Sequence, residues 1–210
     1  MCAGRIAPSR NAALDDPARL LIIAEGRRAA IRWPVPEDTR EFVRMVHASR
    51  NLYRGLASPP STEQQFVALV DRNREPSSCA VLVTERSSGA IVGYSTLGQI
   101  ALGNFRNAYL GYIGSEPFAG RGLMTEGVAL LVQHAFHRLA LHRIEANIQP
   151  GNLPSIAIAK SLGFRLEGFS PGYLKICGRW RDHERWAITS DAWAGFRSWS
   201  RMREARGRKR

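Results

Sequence analysis

The stretch that decides the fold is Glu116-Pro117-Phe118-Ala119-Gly120-Arg121-Gly122-Leu123-Met124-Thr125-Glu126. It follows an apolar strand pattern, Tyr109 to Ile113, and it opens a helical pattern running from Gly120 to Leu139. Leu123, Val128, Leu131, Val132 and Phe136 are the inward positions of that helix. A helix start leaves its first N–H groups unpaired and carries a partial positive charge. Glycine lets an anion approach that backbone closely. Strand, glycines and helix in this order predict a site for an anionic, phosphate-bearing ligand. The ligand would rest on the backbone N–H groups of Gly120, Arg121, Gly122, Leu123, Met124 and Thr125. The same glycines also suit an ordinary tight turn, and Arg121 either adds a charge contact or lies in solvent.

Upstream, Arg28 to Trp33 reads as a strand stopped by Pro34 and Pro36. Glu37-Asp38 open a helix with Phe42, Val43 and Val46 on its apolar face. After the Ser58-Pro59-Pro60 loop, Ser61 or Thr62 caps a second helix carrying Phe66, Leu69 and Val70. Ala80 to Thr84 and Ile91 to Leu97 flank Arg86-Ser87-Ser88-Gly89 as a hairpin, and Asn107 to Ile113 adds a third strand. Downstream, Arg143 to Ile148 is a strand broken by Pro150-Gly151. Ser155 to Leu162 is a short helix closed by Gly163. Tyr173 to Cys177 and Arg185 to Thr189 form a last hairpin, with Trp180-Arg181-Asp182-His183 as its turn and strand start. Asp191 to Arg201 is a terminal helix whose Trp193, Phe196 and Trp199 pack inward. The order predicts an α+β, mixed α/β architecture with helices on both sides of one sheet. Residues 1–24 are expected as a loose lead-in, 25–190 as one domain and 191–210 as a C-terminal helix and basic tail.

The net charge is +12, and residues 197–210 hold seven basic groups against Glu204. A tail of this kind is expected to be solvated and disordered, with at most weak affinity for polyanions; a nucleic-acid contact that brings the chain near the ribosome is the alternative. Cys2, Cys79 and Cys177 are scattered, without metal spacing, so no metal site is expected and the thiols read as reduced. No apolar run reaches the roughly 20 residues of a membrane span, and no leader pattern opens the chain. The expectation is a soluble, cytoplasmic protein without membrane attachment.

With Asn152-Leu153-Pro154-Ser155 and Gly163-Phe164 following the glycine loop, the chain resembles the GNAT N-acetyltransferases over residues 28 to 190. The family loop, Gln/Arg-x-x-Gly-x-Gly/Ala, keeps Gly122 here and departs at Ala119 and Met124. Within that superfamily the chain is most similar to the RimJ/RimL group. The likeness rests on Leu110-Gly111-Tyr112, Gly120-Arg121-Gly122-Leu123-Met124, His142-Arg143-Ile144, Leu166-Glu167-Gly168 and Tyr173-Leu174-x-Ile176-x-Gly178-x-Trp180-Arg181-Asp182-His183. The resemblance implies the GNAT fold: a strongly twisted mixed sheet with a splayed strand pair and helices on both faces. It implies acetyl-CoA as acetyl donor and a primary amine as acceptor, in the prototype the N-terminal amine of a ribosomal protein. A lysine or small amine is the alternative acceptor, a non-catalytic acyl-CoA-binding sensor the alternative class, and a homodimer is left open.

The resemblance also assigns roles. The pantetheine arm would pair along Tyr112, Ile113, Gly114 and Ser115, with the N–H near Ile113 or Gly114 as oxyanion donor. Asn152 would meet the arm's amide, or serve as a helix-entry residue. Ser155 would face the leaving thiolate, or act as a plain cap, because the family's usual tyrosine position one turn later is Ala159. The glutamate base of N-terminal acetyltransferases falls on Asn147, which cannot take a proton. Glu145, two residues earlier on the same strand face, could act through water or pair with Arg143. Glu116 is a second candidate. Tyr173 and Glu167 fall in the substrate groove of the RimL-type branch, with Gly172 where a glutamate is expected.

Overall fold

In a computed structural model, residues 22–207 form one eight-stranded sheet with helices on both faces. The N-terminal half holds β1 (Ile22–Glu25), β2 (Ala29–Arg32), α1 (Thr39–Ala48), α2 (Arg50–Tyr53), α3 (Glu63–Arg72), β3 (Cys79–Glu85), β4 (Ile91–Ala101) and β5 (Asn107–Gly114). The C-terminal half holds α4 (Leu123–His137), β6 (Arg143–Ile148), α5 (Leu153–Ser161), β7 (Arg165–Ile176), β8 (Arg179–Thr189) and α6 (Phe196–Gly207). Short 3-10 turns, Pro36–Asp38 and Glu116–Phe118, lead into α1 and towards α4. The strand order is β1-β2-β3-β4-β5-β6-β8-β7. Only the β5–β6 pair is parallel, because α4 supplies the crossover between them. The mixed sheet is therefore the expected one.

Each central strand feeds two cores. In β3, Cys79, Val81 and Val83 join the core that includes residues of α4, α5 and α6, while Ala80 and Leu82 join the core that includes residues of α1 and α3. That alternation is why the strand reads as one continuous apolar run. Gly127 of α4 allows the helix to settle on β3, since a Cβ there would stand 2.4 Å from Val83 Cγ1. Thr62 caps α3 through its side chain, which accepts from the N–H of Gln65 at 3.2 Å. Among the described residues no helix is long and apolar enough to cross a membrane.

Four expectations change. The lead-in expected to run to residue 24 overlaps β1, which pairs antiparallel with β2 at the sheet edge; residues 1–21 lie outside the described residues. The last hairpin is longer than expected, because β7 starts at Arg165 and β8 at Arg179. Gly168, Pro171 and Gly172 hide the first half of β7 from a propensity reading, and register shifts between Leu166 and Gly168 and between Ser170 and Leu174 absorb them. The long helix begins at Leu123 rather than Gly120, because Gly122 sits at φ 76° ahead of it. Finally, the basic tail is helical as far as Gly207. Trp199 anchors it, 5% exposed, with Nε1 donating to the Ser161 carbonyl at 2.9 Å. Trp193 Nε1 and the Phe196 N–H both donate to Gln133 Oε1 at 2.8 Å, tying the approach to α6 onto α4. The aromatic residues pack inward as read.

Candidate active site

Pairing between β5 and β6 runs from Asn107–Arg143 to Tyr109–Glu145 and then stops. Beyond it the two parallel strands diverge. On its other edge β5 stays paired with β4 up to Gly114. The Ser115 N–H donates to the Val92 carbonyl at 2.8 Å. Backbone groups alternate along a strand. Ile113 and Gly111 therefore face β4, while the N–H and C=O groups of Tyr112 and Gly114 face the gap. The Tyr53 hydroxyl donates to the Gly114 carbonyl at 3.1 Å, which fits that direction. Of the two oxyanion donors expected, Gly114 is turned to the gap and Ile113 is not.

A cavity of about 1000 Å³ lies along the free edge of β5, closed on the far side by α5, the helix that follows β6. This is the upper end of the roughly 300–1,000 Å³ of small-molecule sites. Leu52 and Tyr53 of α2 line it from one sheet face, and α5 and α6 from the other, so it passes through the sheet. Tyr112, Ile113, Gly114 and Ser115 form its strand wall. Gly120, Gly122, Met124 and Thr125 form its loop end. Asn152 and Ser155 stand at the mouth of α5. Among the described residues no carboxylate lines the cavity, and the charged ones that do are Lys160 and Arg203.

The α5 start is fixed on both sides. Asn152 Oδ1 accepts from the Ser155 N–H at 3.3 Å, so the asparagine is the helix cap. Its Nδ2 has no partner among the described residues. The Tyr112 hydroxyl reaches across the gap and donates to the Ser155 carbonyl at 2.9 Å. Burial drives the pKa of Tyr112 well above the ordinary tyrosine value, so the hydroxyl stays a donor. Burial likewise raises that of Tyr53. Ser115 is 3% exposed and its Oγ has no partner among the described residues.

Leu123 points into the core at 2% exposure, as its inward position implied, and offers its backbone N–H at the loop. Two other expected site residues take the second of the roles left open for them. The Arg121 side chain turns away to pair with Glu85 at 2.5 Å, over the Phe118 ring. Glu145 does not line the cavity. It sits level with Tyr109, where the sheet is still closed, and its carboxylate accepts from Arg143 Nε at 2.9 Å and Asn107 Nδ2 at 3.3 Å. Arg143 also binds Glu167, and that contact holds the Glu167 carboxyl below the usual range. The ion pair is thus the observed role of Glu145. Glu145→Gln is expected to change the turnover rate less than about threefold, under 1 kcal/mol, in steady-state kinetics. Asn147 lies two residues nearer the gap, with Oδ1 buried and without a partner among the described residues.

Tyr53, Trp199 and Arg203 line the cavity although nothing singled them out for it. The signal for Arg203 was present: Phe196, Trp199 and Arg203 fall at i, i+3 and i+7, one face of a helix.

Residues 28–165 match the family model described as the acetyltransferase (GNAT) domain. The chain belongs to that family. It is 42% identical over 102 residues to the probable N-acetyltransferase YjcK of Bacillus subtilis, covering 49% of this chain and 56% of that protein. It is 36% identical over 103 residues to the ribosomal protein uS5-alanine N-acetyltransferase of Escherichia coli, covering 49% of this chain and 53% of that one. The matched part thus spans about half the length of these curated relatives. Among solved structures, Mycobacterium smegmatis RimJ in complex with CoA-disulfide superposes with a TM-score of 0.72 at 28% identity, covering 78% of this chain and 82% of that one.

Proposed function

We propose that this chain is an acetyl-CoA-dependent N-acetyltransferase whose acceptor is the N-terminal amine of a protein, of the kind acetylated by its ribosomal-protein relatives. The observation that carries the reading is the free β5 edge beyond Tyr109, where pairing with β6 has ended: it walls a through-sheet cavity that continues to a glycine loop at a helix start. The residues fit acetyl-CoA. Among the described residues the cavity lining holds no carboxylate, Arg203 makes its loop end basic, and the buried Ser115 Oγ has no hydrogen-bond partner.

Bound acetyl-CoA supplies an acetyl group activated as a thioester. Leu123, Met124 and Thr125 present the N–H groups of the first α4 turn to its diphosphate. Tyr112 and Gly114 would present strand-edge groups to the arm, and the Gly114 N–H would be placed to donate to the acetyl oxygen. Asn152 offers Nδ2 to an amide oxygen of the arm. Ser155 would direct its hydroxyl to the sulfur and relay one proton, giving its own to the leaving thiolate and taking up the one the amine sheds as the amide forms. A protein N-terminal amine has a pKa of about 7.7–8.0, so a substantial neutral fraction exists near pH 7.5 without a strong base. A lysine, near 10.4, would need a base that the cavity lining does not contain. A polyamine would meet Lys160 and Arg203 and no carboxylate.

Ser155→Ala is expected to lower kcat at least about tenfold, with the Kd for CoA unchanged, since the helix cap belongs to Asn152. Acetylation of peptides bearing both a free N-terminus and an internal lysine, located by tandem mass spectrometry, tests the acceptor. Acetyl on the α-amine supports the reading; acetyl confined to the lysine contradicts it.

A further inference from the structure

The glycine loop supplies little positive charge of its own. Ala119 has none, and Arg121 is spent on Glu85 at 2.5 Å. The charge at this point comes from two other elements. Arg28, just before β2, donates from Nη2 to the Arg121 carbonyl at 2.7 Å and stands 4.0 Å from Glu126. Arg203 comes from α6, which lies beyond the residues matched by the family model. Its guanidinium lies over Gly122, so close that a Cβ there would stand 2.2 Å from Nη2. It stacks on the Trp199 ring at 5.5 Å. No carboxylate among the described residues lies within ion-pair distance of it. Burial first and then the neighbouring Arg28 charge push its pKa down, and the attraction of Glu126 offsets them only in part. A partly buried cation beside a like charge and the positive end of a helix is electrostatically poor unless an anion joins it.

We propose that Arg203 is a clamp contributed by the C-terminal helix, closing over the diphosphate of CoA against the Gly122 loop. This inference rests on the acetyl-CoA reading given above. Three directions of approach then converge on one anion: the α4 N–H groups from beneath, Arg28 from the side and Arg203 from above. The planar guanidinium suits two phosphate oxygens at once, and Trp199 holds it in place. The clamp also gives the basic C-terminal segment a task within the chain itself.

The test measures binding of CoA and dephospho-CoA by calorimetry to the wild type, Arg203→Ala and Arg203→Lys, with thermal melts as the control for folding. Arg203 has no hydrogen bond to lose among the described residues, so the variants are expected to melt with the wild type. CoA binding to Arg203→Ala is expected to weaken about tenfold, and to Arg203→Lys by less. The same ratio is expected with dephospho-CoA, which keeps the diphosphate. Unchanged or tighter binding by Arg203→Ala would overturn the clamp alone, tighter binding marking Arg203 as a plug. A loss that vanishes with dephospho-CoA would overturn the diphosphate assignment. A wild type that binds neither ligand would overturn the acetyl-CoA reading, and the clamp with it.

Discussion

Gly122→Glu abolishes CoA binding, at least a hundredfold, while the protein stays folded. Gly122 adopts φ 76°, a left-handed conformation that costs an L-residue about 1–2 kcal/mol. Spread over a chain of this size, that cost lowers the melting temperature by roughly 2–8 °C. The effect on binding is larger because of where the new carboxylate goes. It enters at the start of α4, between Arg203 and Arg28, whose Nη2 atoms lie 2.2 and 3.4 Å from a Cβ at this position. There it occupies the anion site itself and repels a phosphate group. Calorimetric titration with CoA, beside a thermal melt, separates the two effects. Binding within threefold of the wild type would remove the glycine loop from the site.

Asp38→Ala destabilises the fold by about 3–5 kcal/mol, a large part of the roughly 5–15 kcal/mol typical of a domain. Arg32 and Asp38 are 5% and 8% exposed and joined through two bonds of 2.6 and 2.7 Å. Asp38 Oδ2 also accepts from the Val35 N–H at 2.9 Å, closing the turn that sends the chain from β2 into α1. Without the carboxylate, a guanidinium remains buried with only the Trp33 carbonyl at 3.2 Å. Urea unfolding should show a lower midpoint with an unchanged slope. Arg32→Met combined with Asp38→Ala should recover much of the loss, because the cost lies in the stranded charge. A single variant within 1 kcal/mol of the wild type would contradict this account of the turn.

The sheet and its strand order around the site were legible because β3 to β6 are strongly patterned and separated by turn residues. The parallel β5–β6 pair followed from the helical crossover. The start of β7 was not legible, since Gly168, Pro171 and Gly172 argue against a strand that bulges and the β8 partner nonetheless accommodate. The loop, Tyr112 to Ser115, Asn152 and Ser155 could be read because local spacing and a family pattern place them. Which of Ile113 and Gly114 faces the gap depends on the register with β4, which no single strand reveals. The two roles left open for Glu145 could not be separated because strand parity gives a face and not a height: it stands level with the last closed β5–β6 pair, where it pairs with Arg143. Arg203 was hidden by its surroundings. Its charge sits in a basic run that composition reads as solvated, whereas Trp199 makes it part of a packed helix.

The central claim is that the gap between β5 and β6 holds acetyl-CoA and passes its acetyl group to a protein N-terminus. Free-thiol release from acetyl-CoA is the direct measurement, run against peptides with Ala, Ser or Met N-termini, N-terminally blocked peptides with a free lysine, and small amines. The account predicts turnover with free Ala or Ser N-termini and little with the blocked peptides. Turnover confined to lysines or small amines would contradict the acceptor assignment, and acetyl-CoA binding without thiol release from any amine would make the chain a sensor instead of an enzyme.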